Sequence, residues 1–403
     1  MKLFRGIRNW LLWCGRAFAR EWNIALHDQG VMIFFLVLPI IYPIIYTLIY
    51  NPEVLRDIDI IVVDQDRTAR SRQLVRDAAA SPTIRVYDYA ADMPEARRMM
   101  AEGKAYGILY IPKDFGKQVG RMSTAHATFY AEMSLLLHYR DFVSALADVQ
   151  LKEIGDITQE RKDMLGSAGS SLTGLPVDNQ AHMVGDTEQG FASFLMPGII
   201  VLILQQAMLL AICMLGGGSH ERRRANGGID PKMLVGAPLS ATVWGRTLCY
   251  FTFILPFVIW ILHWVPELFN LPHVGAPTEY LLFIVPMLLA TGFFGQTINY
   301  FVRDRESSFI VVVVSSVLFL FLTGLTWPRY ATPGFWRVIG DFVPGAWGVQ
   351  GFISINSCGG TIATNMPQYL WMWGLTILYF FTSMLVLRVV ARRAGRKYGV
   401  LTP

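Results

Sequence analysis

Charged side chains are scarce in this chain of 403 residues: Asp, Glu, Lys and Arg together make up 16% of it. A soluble globular protein carries about 25% of these residues. The apolar fraction is 53% and the mean hydropathy is +0.39. This composition argues against the two or three soluble domains that the length alone would allow, and it indicates a membrane protein.

Cysteine and histidine are also few, and they are scattered. The four cysteines form no CxxC pair, which argues against a zinc ribbon and against an intrachain disulfide framework. The histidines form no cluster in the sequence, so no metal site is predicted. The residues are Cys14, Cys213, Cys249 and Cys358, and His27, His126, His138, His182, His220, His263 and His273.

Nucleotide-binding and hydrolase motifs are missing as well. The patterns GxxxxGK[ST], HExxH and GxSxG do not occur, which excludes ATP binding through a P-loop and argues against the common hydrolase sites. No cofactor is therefore expected on this chain itself. The net charge of +5 would suggest nucleic acid in a soluble protein. Here the basic residues flank apolar runs, so they predict contact with membrane lipid and no nucleic-acid partner.

Long apolar runs dominate what is present. Residues 191–215 contain no charged side chain in 25 positions, enough to cross a hydrocarbon core of about 30 Å. Five further runs of similar character complete the pattern of a polytopic α-helical membrane protein. Its six transmembrane helices are predicted at 31–50, 191–215, 244–265, 280–302, 309–327 and 369–390.

Two regions outside these runs have patterns of their own. Residues 1–30 repeat apolar positions every three or four residues with arginines largely off that face, which predicts an amphipathic helix at the membrane interface. Residues 51–190 alternate strand-like and helix-like segments, which predicts an α/β domain followed by a long helix. Its strands are expected at 58–64, 84–89, 105–111 and 127–133.

The remaining region, 191–403, holds five of the six predicted spans and two segments that do not cross. Gly216-Gly217-Gly218 is expected to end the helix predicted at 191–215 and to begin a charged loop, 216–246. Residues 328–367 are semi-polar and interrupted by Gly and Pro. They predict a re-entrant helix pair between the fifth and sixth spans.

The distribution of basic residues predicts the orientation. Short segments on one side of the predicted spans carry seventeen Lys and Arg, and those on the other side carry two. By the positive-inside rule, both termini and the 216–246 loop are cytoplasmic. The 51–190 domain is then extracytoplasmic, since long domains translocate regardless of their charge.

Polar residues within the predicted spans are mostly amides and hydroxyls. No Asp, Glu, Lys or Arg lies near a span centre, which counts against an ion-coupled carrier. The amides can line a transport path or can join helices by hydrogen bonds, and we favour hydrogen bonds for the Gln pair. The candidate path-lining residues are Gln205, Gln206, Gln296 and Asn299.

Several short segments occur in an order that resembles the membrane subunit of type-2 ATP-binding-cassette exporters. The resemblance covers nearly the whole chain and points to the subgroup with a large extracytoplasmic insert after the first span. The segments are Pro197-Gly198, the charged run 221–224, Pro238-Leu239-Ser240, Gly245-Arg246, residues 62–66 and 107–115 of the insert, residues 323–328, and Phe342-Val343-Pro344.

The resemblance implies a transport subunit and no enzyme activity in this chain. ATP and Mg²⁺ would be bound by a partner, an ATP-binding-cassette ATPase. The chain would form a homodimer, or a heterodimer with a related permease, in a bacterial inner membrane. It would export a hydrophobic or amphipathic compound such as a drug or a lipid, in some cases with a periplasmic adaptor protein.

The resemblance also implies roles for particular residues. Residues 221–240 are expected to form a helix that docks on the ATPase through apolar anchors and a charged rim. A competing interpretation is that the arginines contact lipid phosphates. The coupling residues are Glu221, Arg222, Arg223, Arg224, Met233, Leu234 and Pro238, and the residues of the re-entrant gate are Trp327, Pro328, Pro344 and Trp347.

Two other functions remain as alternatives. A membrane-anchored scaffold would recruit a partner through the 51–190 domain and would need no ATPase at the 216–246 loop. A secondary carrier is disfavoured, because the spans lack central charges and the chain shows no obvious repeated halves.

Overall fold

The computed structural model describes residues 2–50, 55–121, 125–131, 136–165, 191–227, 230–234 and 236–398. The chain divides into two compact units. One combines Met1–Asn51 with Met183–Pro403, and the other is Pro52–His182.

The N-terminal part of the first unit is helical apart from His27 and Asp28. Its elements are α1 (Lys2–Leu26), α2 (Gln29–Met32), a π-helical turn (Ile33–Val37) and α3 (Leu38–Tyr50). Asp28 caps α2 by accepting from the Val31 amide. In α1, Cys14 and Ala17 are buried, whereas Phe4 is 79% exposed. An exposed apolar side chain on this helix suits contact with a lipid interface.

The second unit is an α/β structure with a mixed four-stranded sheet, which confirms the predicted strand–helix alternation. The strand order is β2-β1-β3-β4, with β1 parallel to β2 and β3, and β4 antiparallel to β3. Its elements are β1 (Ile58–Asp64), α4 (Ala69–Ala80), β2 (Ile84–Tyr89), α5 (Met93–Ala101), β3 (Gly107–Ile111), α6 (Phe115–Gly120), β4 (Thr128–Ala131) and α7 (Leu136–Leu165).

Side chains alternate between the two faces of β1 and so build two small cores. Ile60 and Val62 pack in the cluster that contains Phe142 of α7. Ile61 packs in the other cluster, with Ala96 of α5. Alternation of this kind, with helices on both faces, explains why β1 is apolar along most of its length.

The rest of the first unit is a bundle around one central helix. In the 18-residue apolar stretch of α8, 89% of the residues are buried, whereas the share is 22% in the corresponding stretches of α12 and α15. The elements are α8 (Phe191–Ala225), α9 (Leu239–Ile259), a π-helical turn (Trp260–Trp264), α10 (Val265–Leu268), α11 (Pro277–Ile298), α12 (Arg305–Leu322), α13 (Gly334–Asp341), α14 (Pro344–Cys358) and α15 (Met366–Tyr398).

Within the described residues, six helical segments are long and apolar enough to cross a membrane. The pair α13 and α14 is bent by 89° and would count as a seventh if it were one span. The bend lies at the break between Asp341 and Pro344, where proline begins the second helix.

Two expectations for the charged loop were wrong. The helix does not end at Gly216-Gly217-Gly218, because α8 continues to Ala225. The three glycines instead permit close packing: a Cβ on Gly217 would lie 2.6 Å from the carbonyl carbon of Asp304. A glycine in a helix usually weakens it, and here the contact with a neighbouring backbone requires one.

No helix spans 221–240 in the described residues of that segment. Residues 221–225 finish α8, and α9 begins at Leu239. Gly227 and Gly236 have φ of +61° and +75°, values that end helices and form turns. The fourth and fifth predicted spans also shift, since α11 ends at Ile298 and α12 begins at Arg305.

Candidate functional site

Charged residues from four parts of the chain meet at one end of the bundle, which we call the charged end. It contains the C-terminal half of α1, the start of α2, the α8–α9 loop with the flanking turns, and the turn before α12. Its members are Arg20, Glu21, Asp28, Glu221, Arg222, Asp230, Arg246 and Arg305.

Asp230 holds the α8–α9 loop against the helices. Its carboxylate accepts hydrogen bonds from the Ser219 hydroxyl at 2.8 Å and from Arg222 Nε at 3.2 Å. Arg20 of α1 lies 3.6 Å away, and the Lys232 amide donates at 3.0 Å. With Asp230 only 2% exposed, the described part of the loop is fixed to both α1 and α8.

The electrostatics of Asp230 favour its charged form. Burial on its own raises the pKa of Asp230, but hydrogen bonds from Arg222, the Lys232 amide and Ser219 outweigh burial and hold that pKa below the usual range. The stabilisation from these bonds is therefore present above the pKa of an unfolded aspartate. It is lost as the pH falls through the lower pKa of the folded state.

A second network ties α8 to α12. Glu221 accepts a hydrogen bond from the Arg305 amide at 2.9 Å, and its other oxygen lies 3.3 Å from Arg305 Nε. Arg305 also pairs with Asp28 at 2.7 Å. Glu221 was predicted as a contact for a partner, but in this structure its carboxylate joins two helices.

A third network connects α1 to α9. The Tyr250 hydroxyl donates to Glu21 at 2.6 Å, and Arg246 Nε lies 3.4 Å from the same carboxylate. The helices approach closely at Gly245, where a Cβ would lie 2.5 Å from the Cys14 carbonyl oxygen. The start of α9 is thereby joined to α1 by a hydrogen bond, an ion pair and close packing.

The remaining predicted coupling residues lie at the surface of the charged end. Arg224 is exposed and donates to the Arg303 carbonyl at 2.6 Å. Arg223 lines a small cleft together with His220, Arg246, Gln296 and Asn299. Met233 and Leu234 are half-buried and Pro238 is exposed. They provide an apolar surface on the α8–α9 loop that Asp230 attaches to α1 and α8, which we call the clamped loop.

The four predicted path-lining amides fall into two classes. Gln296 donates to the Thr247 hydroxyl at 2.7 Å, and Asn299 donates to the Ile212 carbonyl at 3.2 Å. These two join helices. Gln205 and Gln206 have buried amide atoms without a hydrogen-bond partner among the described residues, so the preference for a helix-joining role was wrong for this pair.

This difference predicts that the same change, glutamine to methionine, affects the stability of the protein differently at Gln205 and at Gln296. Gln205→Met should leave the thermal unfolding midpoint in detergent unchanged or raise it, because it removes a buried amide without a partner. Gln296→Met should lower the midpoint, since it removes a helix-joining hydrogen bond worth about 1 kcal/mol. Equal destabilisation by the two changes would contradict the assignment.

The four predicted gate residues lie around the bent helix pair. Arg329 pairs with Asp341, and its guanidinium stacks over the Trp347 ring at 4.2 Å. The Trp347 indole donates to the Asp341 carbonyl at 3.1 Å. Pro344 is buried at the start of α14, whereas Trp327 is 57% exposed and Pro328 begins the turn that carries Arg329.

The family sequence model described as "ABC-2 family transporter protein" matches residues 30–385. The chain belongs to this family. No curated protein matches the chain significantly. The ABC-2 family match makes this chain a permease subunit, which is a multi-pass membrane component of a transporter and not its ATPase. Such permeases work with an ATPase partner.

For this ABC-2 permease, sequence reasoning overlooked the residues that organise the charged end. Asp230 is the one acidic residue between 222 and 238, and that isolation among basic residues was an available signal. Asp28 and Arg305 are 277 positions apart, so their pairing could not be inferred from spacing.

Proposed function

We propose that this chain is half of an exporter that moves a hydrophobic or amphipathic compound out of a bacterial cell. ATP and Mg²⁺ would be bound by a separate ATPase subunit. Six spans would cross the inner membrane with both termini in the cytoplasm, and the Pro52–His182 unit would lie outside. The distribution of Lys and Arg, seventeen in the short segments on one side of the predicted spans and two on the other, supports this orientation.

The observation that carries the proposal is the clamping of the α8–α9 loop by Asp230. An ATPase bound to Met233 and Leu234 would push on a segment joined to α1 and α8 by ionic contacts. The Glu221–Arg305 pair would pass the same displacement to α12. A clamped loop thus replaces the docking helix, and it suits rigid-body switching.

The transport path is proposed to run beside the central helix α8. Gln205 and Gln206 supply buried amides without partners among the described residues, and such groups call for a ligand or a second surface. Six spans would form half of the path, so a homodimer or a heterodimer with a related permease is expected. The bent pair α13–α14 would act as a re-entrant gate, and a periplasmic adaptor would be an additional partner.

Co-purification tests this function. The full-length chain should isolate together with an ATP-binding-cassette ATPase, and the complex should hydrolyse ATP in proteoliposomes. A membrane-anchored scaffold predicts no such complex. Stable isolation without any ATPase, in a lipid environment that keeps the chain folded, would contradict the proposal.

The proposed orientation predicts a labelling pattern. Lys113→Cys, in the α/β unit (Pro52–His182), should react with a membrane-impermeant maleimide in intact spheroplasts. Asn226→Cys at the charged end should react only after permeabilisation. Both positions are exposed, and the background should carry Cys358→Ser because Cys358 is the exposed one of the four natural cysteines. The reverse pattern would overturn the orientation.

A further inference from the structure

Two histidines that are scattered in the sequence meet at the end of the bundle opposite the charged end. His263 lies in the π-helical turn after α9, and His273 lies in the loop before α11. His263 Nδ1 and His273 Nε2 are 3.3 Å apart. The Tyr280 hydroxyl lies 3.0 Å from the first nitrogen and 3.1 Å from the second.

A carboxylate completes the group. Glu267 lies one helical turn after His263, and its carboxylate is 3.6 Å from His263 Nε2. One ligand atom from each of His263, Glu267 and His273 can be chosen so that all three lie within 4.8 Å of one another. Two imidazoles and a carboxylate form a donor set that divalent transition metals favour.

The orientation of His273 is fixed by a buried amide. His273 Nδ1 lies 2.6 Å from Asn356 Oδ1, so Nδ1–H donates to this oxygen and the lone pair of Nε2 is directed at the cluster. Asn356 is 0% exposed, and its Nδ2 donates to the Pro272 carbonyl at 2.8 Å. An outer hydrogen bond that fixes the tautomer is a regular feature of histidines that bind metals.

The backbone adds to this rigidity. The amides of Val274 and Gly275 both donate to the Asn356 carbonyl, at 2.9 and 3.1 Å. A Cβ on Gly275 would clash with the Ile355 carbonyl, so glycine permits the close approach. The loop that carries His273 is thereby attached to α14. His263 is placed by a π-helical turn, a feature frequent at functional sites.

We propose that His263, His273 and Glu267 bind a Zn²⁺ ion, with Tyr280 beside the fourth position. Nitrogens about 2.0 Å from a tetrahedral zinc are about 3.3 Å apart, which agrees with the separation of His263 Nδ1 and His273 Nε2. The Glu267 carboxylate now lies beside His263 Nε2, and its side chain, which is 50% exposed, would have to turn toward the Nδ1 side of that ring to bring an oxygen to the ion. Because His273 belongs to the loop between α10 and α11, and Asn356 belongs to α14, the ion would stabilise that end of the bundle.

The competing explanation is a hydrogen-bonded polar cluster without metal. In that case hydrogen bonds among His263, His273 and the Tyr280 hydroxyl account for the three short distances. Both arrangements satisfy the distances. They differ in stoichiometric metal binding, which can be measured directly.

The test uses the full-length protein purified in detergent with an affinity tag that contains no histidine. After removal of metal with a chelator, Zn²⁺ is titrated against a chromophoric competitor. We expect one tight site per chain and an increase of the thermal unfolding midpoint on Zn²⁺ addition. His263→Gln and His273→Gln should each weaken Zn²⁺ binding at least 100-fold, and Asn356→Ala about 10-fold or more.

A matched control is His126→Gln, which removes an exposed histidine of the other unit and should leave the affinity unchanged. X-ray absorption at the zinc edge of the wild-type protein needs no variant, and it should show two imidazole ligands with oxygen. No stoichiometric binding by the wild type, or unchanged binding by the His263→Gln, His273→Gln double variant, would overturn the proposal. A zinc spectrum without imidazole would overturn it as well.

Discussion

Replacing Leu234 with aspartate is expected to abolish association with the ATPase while the chain still inserts and folds. Leu234 is half-buried on the clamped loop, so part of its side chain faces outward. In a protein interface the apolar anchors supply most of the binding energy, and a charge placed in such an anchor must be desolvated without a partner. We expect at least a 100-fold loss in binding, measured by co-purification and by ATP hydrolysis in proteoliposomes.

Val274→Asp is the control for this change. Val274 is another apolar loop residue, 58% exposed, and it lies at the opposite end of the bundle. Its substitution should leave ATPase association within about 2-fold of the wild type, as expected for a position outside the interface. Equal losses for the two variants, or no loss for Leu234→Asp, would refute the assignment of the docking surface.

Asp230→Asn should destabilise the protein by about 3 kcal/mol, since removing one partner of a buried ion pair leaves the other charge uncompensated. The substitution keeps the shape of the side chain but removes the charge that Arg20 and Arg222 face. Its effect should appear as a lower unfolding midpoint in detergent. The loop should also become accessible to protease, because its attachment to α1 and α8 is weakened.

The α/β unit offers a comparison of the same chemistry at the surface. Asp59 pairs with Arg85 at 2.6 Å, but the Arg85 side chain is 57% exposed. Asp59→Asn should therefore change the unfolding midpoint little. A midpoint for Asp230→Asn as high as that for Asp59→Asn would show that the clamp contributes nothing.

Local patterns predicted the elements of the α/β unit well. The strand expected at 58–64 is β1, with the same bounds. At the start of α5, Asp92 accepts from the Glu95 amide at 2.9 Å, and the Glu95 carboxylate accepts from the Ala91 amide. These features depend on side chains only a few positions apart, which a sequence displays directly.

The errors arose where a distant contact overrides a local preference. Three consecutive glycines favour the end of a helix, yet α8 continues because Gly217 packs against the backbone at Asp304. A loop stands where the docking helix was expected. Asp230 of that loop attaches it to the helices, and one partner of Asp230 is Arg20, 210 positions earlier. Neither contact can be read from periodicity.

The histidine cluster shows the same limit. His263 and His273 are ten positions apart, and neither lies in a recognisable metal motif. Their meeting depends on the π-helical turn after α9, on the loop between α10 and α11, and on Asn356, which is 83 positions from His273. Hydropathy predicted the apolar helices that carry these residues, because burial in lipid needs only length and composition.

Photo-crosslinking in living cells tests the coupling account most directly. A photoreactive amino acid placed at Leu234 should capture an ATP-binding-cassette ATPase, identified by mass spectrometry of the crosslinked band. The same group at Val274 should capture none. An ATPase crosslinked at Val274 and not at Leu234 would contradict the account, and so would no ATPase at either position.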